Sequence, residues 1–214
     1  MLLNTTAKIL SVIVTNRTSY ILETHNLLSN THFRGRLGQS TTNSLHLLET
    51  TVCHTWRQGK VVSALFLNIE GAFPNAVTDR LLHNMRTRHL PSSIVNFMEK
   101  LLQGRKTRLC FNDFLLDWIS ITNGIRQGDP FSMLLFIIYN SDLVETAKGK
   151  SELTLAFVDN TAFIAIGKSF EKTHSILRSM LEQEGGYHWS RDHNSRFETS
   201  KFTLIDFTCS HTKE

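Results

Sequence analysis

Side chains that carry oxygen ligands stand at the ends of apolar segments of this chain. Asn68 and Glu70 follow one apolar run, and Asp159 and Asn160 separate two others. Magnesium ions prefer one or two carboxylates together with the oxygens of substrate phosphates. Two such ions about 3.5 to 4 Å apart stabilise the attacking and leaving oxygens of a displacement at phosphorus. These residues therefore indicate metal-assisted nucleotidyl transfer.

Arginines and glycines occur together in further segments. Arg34 and Arg36 lie in a glycine-rich interval, and guanidinium groups bind phosphates well. Residues 124–130 form a second glycine-rich segment, which is also consistent with an ordinary turn before a helix that starts at Pro130. The basic residues within 105–108 have two interpretations of equal weight, contact with a phosphate backbone and protection of a solvated strand edge.

The spacing of apolar residues predicts the elements that position these groups. Ser40 or Thr41 is expected to cap the second helix, and Asp159 with Asn160 to form the tip of a hairpin. Helices are predicted over about 6–29, 41–57, 78–88, 92–102, 131–144 and 170–184. Strands are predicted over about 60–68, 105–111, 115–121, 153–158, 162–166 and 202–207.

The order of these elements predicts an α+β fold. From Val61 onward the principal elements run strand, helix, strand, strand, helix, strand. This is the order of the split β-α-β unit of a ferredoxin-like sheet. In such a sheet the end of the first strand and the tip of the central hairpin lie side by side, so Asn68 and Asp159 are expected to be neighbours.

The composition limits the class of protein. With 214 residues, of which 41% are hydrophobic and 20% charged, the chain can bury one substantial core. The net charge of +4 and the pI near 9.1 fit a polyanionic partner without requiring one. No apolar run approaches the roughly 20 residues of a membrane-spanning helix. Residues 1–10 lack the continuous apolar stretch of a secretory signal.

The spacing of cysteine and histidine argues against two further classes. The three cysteines lie far apart and form no Cys-x-x-Cys pair, which argues against a disulfide framework and a zinc ribbon. His188, His193, Cys209 and His211 match no closed four-ligand zinc pattern. We therefore expect an intracellular protein, with the nuclear and cytoplasmic locations left open.

Five segments resemble a known family. Residues 65–73 (LFLNIEGAF), 123–132 (NGIRQGDPFS) and 156–161 (AFVDNT) resemble, in order, three palm motifs of the LINE-type (non-LTR) retroelement reverse transcriptases. Residues 33–41 resemble the fingers motif of that family, and residues 190–201 resemble a region found in its fungal members. The resemblance extends over nearly the whole chain.

The resemblance implies the fingers and palm of a right-hand polymerase. Residues 1–60 would form part of the helical fingers, and residues 61–214 the palm with a fingers insertion and no thumb. The implied partners are an RNA template, a DNA primer and deoxynucleoside triphosphates, with Mg²⁺ or Mn²⁺ as cofactor. The oligomeric state stays open.

The resemblance also assigns individual site residues. Asn68, Asp159 and Asn160 occupy the family's catalytic aspartate positions, where metal ligands are expected. Phe73 occupies the position of the ring that senses the 2′ group of the nucleotide sugar. The nucleotide pocket and the phosphates are assigned to the following further positions: Gln127, Gly128, Arg34, Arg36 and Lys201.

Two of the three aspartate positions carry amides, so one formal negative charge stands where three are expected. Glu70 could compensate only if the chain after Asn68 bent back, because it lies one strand step farther along. We therefore expect a degenerate and truncated copy with strongly reduced activity. The alternatives are a nucleic-acid-binding remnant without catalysis and a decayed reading frame whose product does not accumulate.

Overall fold

A computed structural model describes residues 5–112, 114–182 and 185–209. Parts of the predictions above lie outside the described residues: residues 1–4 of the segment 1–10, residues 183 and 184 of the helix over 170–184, and His211. The helices are α1 (Thr5–Thr24), α2 (Thr41–Arg57), α3 (Thr78–Thr87), α4 (Ser92–Leu102), α5 (Ser132–Val144), α6 (Phe170–Glu182) and α7 (Gly186–Asp192). The strands are β1 (Val61–Glu70), β2 (Lys106–Thr107), β3 (Cys110–Phe111), β4 (Phe114–Leu115), β5 (Ile119–Ser120), β6 (Glu152–Phe157), β7 (Asn160–Gly167), β8 (Arg196–Phe197) and β9 (Thr203–Phe207).

Local capping signals explain where several helices begin and end. The predicted cap of α2 is confirmed, because Ser40 Oγ accepts a hydrogen bond from the backbone N–H of Asn43 at 3.3 Å. The predicted continuation of α1 to residue 29 is wrong, because the helix ends at Thr24. Asn26 adopts φ +51°, and the N–H of Leu27 donates to Leu22 O at 2.9 Å. This left-handed cap stops the helix.

The sheet comprises β6, β7, β1 and β9 in that spatial order, with every neighbouring pair antiparallel. β1 was predicted to end at residue 68 but extends to Glu70. Its last two residues pair with Phe197 and Arg196 of β8, a strand that was not predicted. The added partner strand supplies the hydrogen bonds that keep β1 extended beyond Asn68.

Residues 28–72 and 140–209 form one compact unit around this sheet. One face of the sheet packs against α2, through a core that contains Phe33, Val52, Val62, Ala64, Leu155, Ala162 and Ile164. On the other face Ser63 is fully buried. Its Oγ lies 2.7 Å from Thr173 Oγ1 of α6 and donates to Asp206 Oδ1 of β9 at 2.5 Å. This polar contact ties three elements together.

Residues 5–27 and 73–139 form the other compact unit, which contains α1, α3, α4 and the strands β2 to β5. Its core contains Leu22, Leu81, Leu82, Met85, Ile94, Val95, Met98, Phe131, Leu135 and Phe136. The Tyr139 hydroxyl accepts a hydrogen bond from Val77 N at 3.2 Å, and Tyr139 O accepts one from Asn84 Nδ2 at 3.2 Å. These contacts join α5 to the segment that begins α3.

The predicted boundary between fingers and palm at residue 60 stays a prediction.

In the part of the chain that the structure describes, no helix combines the length and apolar character needed to cross a bilayer.

Candidate active site

The hairpin between β6 and β7 positions Asp159. Phe157 pairs with Asn160, so the two turn residues are Val158 and Asp159, and the predicted tip of Asp159 with Asn160 is displaced by one residue. Val158 has φ +63°, a backbone conformation that β-branched residues rarely adopt. The buried amide of Asn140 donates a hydrogen bond from Nδ2 to Val158 O at 3.1 Å. This contact stabilises an otherwise unfavourable turn.

The structure places Asn68, Asp159 and Asn160 together. Asn68 pairs with Asn160 across β1 and β7, and Asn68 Nδ2 donates to Asn160 Oδ1 at 3.2 Å. Asn160 Nδ2 in turn donates to Asp159 Oδ1 at 3.2 Å. The N–H of Ile69 donates to Asp159 O at 2.9 Å, which fixes the turn beside β1. The expected proximity of Asn68 and Asp159 is therefore present.

These side chains do not suit a pair of divalent ions. The three positions bring one carboxylate, and one of its oxygens already accepts a hydrogen bond from Asn160. Amide N–H groups donate and cannot ligate a cation. Among residues 5–112, 114–182 and 185–209, no three His, Cys, Asp or Glu side chains come together as a group that could hold a metal ion.

Glu70 does not turn back toward Asn68. It stands opposite Arg196 in the pairing of β1 with β8, and it is exposed. The bend that compensation would need is therefore absent from the described residues, because the strand stays extended through this position.

Lys201 lies in a short 3₁₀ turn that follows β8. Its Nζ forms an ion pair with Glu198 Oε2 at 2.7 Å, and Glu198 N donates to Asn68 O at 2.9 Å. Because the backbone of Glu198 contacts Asn68, the turn that carries Lys201 begins next to the end of β1. A nucleotide phosphate would have to compete with Glu198 for this ammonium group.

Residues 31–33 lie beside β6, where Ala156 N donates to Thr31 O and Phe33 N donates to Ala156 O, each at 2.9 Å. Arg34 is exposed, and its guanidinium lies 5.3 Å from the centre of the Phe157 ring. Arg36 is buried and donates from Nη1 to Ser29 O at 2.5 Å. Of the two arginines, Arg34 has the accessible side chain.

His32 is 1% exposed, and neither of its ring nitrogens has a hydrogen-bond partner among the described residues. Burial and, as the smaller cause, the nearby positive charge of Arg36 together lower the pKa of His32 from 6.5 to about 4. The neutral ring is therefore the folded form at neutral pH.

Phe73, Gln127 and Gly128 belong to the unit of residues 5–27 and 73–139. The Phe73 ring packs against Phe136, with centroids 5.1 Å apart, and Phe73 O accepts a hydrogen bond from Ile125 N at 2.7 Å. The side chain of Gln127 is exposed. Gly128 has φ +84°, and a Cβ atom added to it would meet no other atom within 4 Å. Gln127 is thus accessible to a ligand.

Asp129 closes the segment that contains Gln127 and Gly128. Its Oδ1 accepts hydrogen bonds from Phe131 N at 2.9 Å and from Ser11 Oγ at 2.6 Å. Asp129 therefore stabilises the turn that precedes α5 and joins this turn to α1, which explains this carboxylate without a ligand. The contact with Ser11 could not be predicted, because the partners are far apart in the chain.

The role of Asn140 was not predicted. A signal was present, since Asn140 is a polar residue directly after the apolar run 133–139 of helix α5. Its Oδ1 is buried with no hydrogen-bond partner among the described residues. A buried acceptor without a hydrogen bond costs free energy. We therefore expect a compensating gain, and the hydrogen bond from Asn140 to Val158 O supplies it by stabilising the turn.

Arg105 supports the backbone around residues 123–124. It donates from Nε to Leu102 O at 2.9 Å, from Nη1 to Gly124 O at 2.7 Å and from Nη2 to Asn123 O at 3.1 Å. Burial holds the pKa of Arg105 below its usual value, and the neighbouring charge of Arg126 acts in the same direction. Because it donates three hydrogen bonds to backbone carbonyls, Arg105 stabilises the backbone of this loop.

A family model described as reverse transcriptase (RNA-dependent DNA polymerase) matches residues 1–205 of the chain. The retrovirus-related Pol polyprotein from the type-1 retrotransposable element R2 of Nasonia vitripennis is 34% identical over 70 residues. Those residues cover 33% of this chain and 7% of that polyprotein. This match agrees with the non-LTR type indicated by the motifs.

Solved telomerase structures have a similar fold. Telomerase from Candida tropicalis in complex with a TWJ fragment of telomeric RNA matches 92% of this chain with a TM-score of 0.69 and 10% identity. The corresponding complex from Candida albicans matches 95% with a TM-score of 0.64 and 11% identity. The match covers 33% and 36% of those chains, respectively. Sequence identities this low support similarity of fold only, and that fold is the mixed α/β fold of a polymerase.

Proposed function

The chain belongs to the reverse transcriptase (RNA-dependent DNA polymerase) family, and on that basis we propose that it is a fingers-and-palm region with most of its catalytic power lost. The observation that carries this proposal is the hydrogen bond from Asn68 to Asn160 at 3.2 Å. Two amides that bond to each other occupy positions where the family's reaction needs carboxylates. The fold is that of a polymerase, whereas the negative charge that would bind metal ions is reduced at these positions.

The order of the sheet supports a ferredoxin-like palm. The four strands of the proposed palm sheet follow one another along the chain as β1, β6, β7 and β9. In the sheet they lie side by side in the order β9, β1, β7, β6, that is, fourth, first, third, second. All neighbouring pairs are antiparallel, and α6 connects the third strand to the fourth. Both features are those of a β-α-β-β-α-β sheet.

The family uses divalent metal ions, and the charges of this site support weak binding of Mg²⁺ or Mn²⁺. Asp159 is the carboxylate that would bind a cation at this turn. Two unit charges 4 Å apart attract each other by about 4 kcal/mol at an effective dielectric near 20. Loss of one such attraction lowers the reaction rate or the metal occupancy roughly a thousandfold. Loss of two carboxylates therefore supports very low activity.

We further propose that the partners are an RNA template, a DNA primer and deoxynucleoside triphosphates. Exposure of Arg34, Gln127 and Lys201 supports roles for these residues in contacting a nucleotide or template. Arg36 is a weaker candidate, because its guanidinium is buried and bonded to Ser29 O. Phe73 retains the position of the sugar-sensing ring while it packs on Phe136.

Primer extension tests this proposal. The unmodified chain and the variant Asn68→Asp/Asn160→Asp would be compared on an RNA template with a DNA primer, in Mg²⁺ and in Mn²⁺. We expect at least a hundredfold more extension by the double variant. Adding Asp159→Asn to it should abolish that gain. Substantial extension by the unmodified chain, equal to that by the double variant, would refute the loss of catalytic power.

A nucleic-acid-binding protein without catalysis is the second candidate function. The observation in its favour is the concentration of cations at Arg105, Lys106 and Arg108, which does not depend on the depleted metal site. Binding to an RNA–DNA duplex that weakens with salt, without nucleotide incorporation, would support it. Equal affinities at low and high salt would argue against it.

A further inference from the structure

The hairpin built by β2 to β5 exposes an unusual amount of apolar surface. Its large side chains are between 46% and 65% exposed at Leu109, Phe111, Phe114, Leu115, Trp118 and Ile119. A two-stranded hairpin in water is marginally stable on its own. Exposed patches of this kind commonly mark interaction sites, so the hairpin is a candidate binding surface.

The pairing register divides the hairpin into two faces. Phe111 is opposite Phe114, and directly opposed residues share a face of an antiparallel pair. Leu109 lies two residues before Phe111 and therefore shares its face. Lys106 and Arg108 alternate with these residues and lie on the opposite face.

A bulge brings Trp118 onto the face of Lys106 and Arg108. Thr107 pairs with Ile119, whereas Cys110 pairs with Leu115, so the second strand contains one extra residue between these pairs. A bulge of this kind redirects a side chain. The Arg108 guanidinium lies 4.6 Å from the centre of the Trp118 ring.

The charge on this face is positive. Arg105, Lys106 and Arg108 fall within four consecutive residues, and residues 100–112 contain no acidic side chain. In the sequence, residues 105–121 contain two acids, Asp113 and Asp117. Arg105 is engaged with carbonyl oxygens, so Lys106 and Arg108 are the cations that can meet an anion.

We infer that the face formed by Lys106, Arg108 and Trp118 binds unpaired nucleotides, with a base stacked on the indole and phosphates held by the two cations. The inference rests on the proposed function and names a surface for its nucleic-acid partner. Cations next to an exposed aromatic ring are the combination that binds single strands without sequence preference. The opposite face, with Leu109, Phe111 and Phe114, has no cation of this kind.

The test measures the affinity of the full chain for a single-stranded RNA of about 20 nucleotides by fluorescence anisotropy. Base stacking on an aromatic side chain contributes about 1 to 3 kcal/mol, so Trp118→Ala should weaken binding roughly 5- to 150-fold. Trp118→Phe should retain most of the affinity. The matched control Phe111→Ala, on the opposite face, should change it less than about twofold.

Salt dependence separates the cationic contribution from folding effects. Each phosphate contact to a single strand contributes a slope of about 0.7 to the plot of log affinity against log salt. Lys106→Ala and Arg108→Ala should each reduce the slope by about that amount. Because all three positions are exposed, thermal unfolding of the variants should stay close to that of the unmodified chain.

Three outcomes would overturn the inference. If the unmodified chain binds single-stranded RNA and Trp118→Ala binds it equally well, the surface is wrong while the proposed function stands. If Phe111→Ala weakens binding as much as Trp118→Ala, or if either change dissociates a dimer in light scattering, the face formed by Lys106, Arg108 and Trp118 is not a specific site for the strand, and in the case of a dimer the hairpin is a protein-docking surface. If the unmodified chain binds neither single strands nor an RNA–DNA duplex, the proposed function fails as well.

Discussion

The side-chain amide of Asn68 donates a hydrogen bond to Oδ1 of Asn160 at 3.2 Å across two neighbouring strands. Two aspartates in these positions could not form it, because ionised carboxylates only accept hydrogen bonds. They would instead repel each other until a cation bound between them. The amide pair thus replaces a cation-dependent arrangement with one that is complete without a metal.

Reversion should make the stability of the chain depend on metal ions. In Asn68→Asp/Asn160→Asp, repulsion between carboxylates should cost about 1 to 4 kcal/mol in the absence of metal, the range between bulk water and an effective dielectric near 20. Mg²⁺ at ten times its dissociation constant should then add about 1.4 kcal/mol. Urea unfolding with and without Mg²⁺ measures both effects. Stabilisation of the unmodified chain by Mg²⁺ to the same extent would contradict the prediction.

The left-handed turn at Val158 should reverse the usual order of alanine and glycine. Both Val158→Ala and Val158→Gly remove the buried side chain, but only glycine relieves the φ of +63°. The glycine variant should be more stable than the alanine variant by about 1 kcal/mol. At Ile164, in the regular strand β7, the same pair of substitutions should favour alanine. Chemical unfolding of the four variants gives the comparison, and the same order at both sites would refute the strain.

Asn140 should contribute to stability through Val158 O. Asn140→Ala leaves this carbonyl without its partner at 3.1 Å, and a buried acceptor without a hydrogen bond costs about 1 to 3 kcal/mol. Thermal unfolding should show a loss of that size. Asn140→Ala in the Val158→Gly background should cost less, because the turn no longer needs the same restraint. Equal losses in the two backgrounds would argue that Asn140 acts elsewhere.

His32 should destabilise the chain in acid. Burial lowers its pKa from 6.5 to about 4 in the folded state, so the unfolded chain binds more protons between these values. Stability is full above pH 6.5 and falls as the pH drops toward 4, by about 3 kcal/mol. The difference in unfolding free energy between the unmodified chain and His32→Leu, followed from pH 7 to 4, isolates this residue.

The control for His32 is His46→Gln, because His46 is exposed. Its pH dependence should match that of the unmodified chain. If His32→Leu retains the full acid sensitivity of the unmodified chain, the buried imidazole is not its source.

Gly124 should be intolerant of a side chain. It has φ +92°, and a Cβ atom there would lie 2.7 Å from Pro74 O. Gly104 also has a positive φ, of +62°, but has open space around it. Gly104→Ala should therefore cost about 1 kcal/mol, and Gly124→Ala about 1 to 3 kcal/mol more because of the clash. Urea unfolding of the two variants tests the difference, and equal costs would contradict the close approach.

Sequence patterns predicted elements best where local signals were strong. The helix after Ser40 and the one after Pro91 have the predicted ends, since capping side chains and proline act within one turn. The short helix Gly186–Asp192 was not predicted. It depends on packing against another element, in which Trp189 lies against Phe197 of β8 with ring centroids 5.9 Å apart.

The hairpin tip shows why local preference was insufficient. Asp159 and Asn160 were predicted to form the tip, and asparagine adopts left-handed backbone conformations more readily than valine. In the structure Val158 occupies that conformation, because Asn140 holds its carbonyl and Asn68 pairs with Asn160. Contacts between distant segments outweigh a preference of about 1 to 2 kcal/mol.

The sequence by itself determined the family and the order of the principal elements, and it predicted the loss of two carboxylates, because motifs and periodicity are properties of the chain alone. Only the tertiary structure decided that Asn68 bonds to Asn160, that Ser11 bonds to Asp129 and that Arg105 supports a loop. It also brought Arg108 over Trp118. The physical reason is that these contacts depend on strand register and packing, which no local pattern encodes.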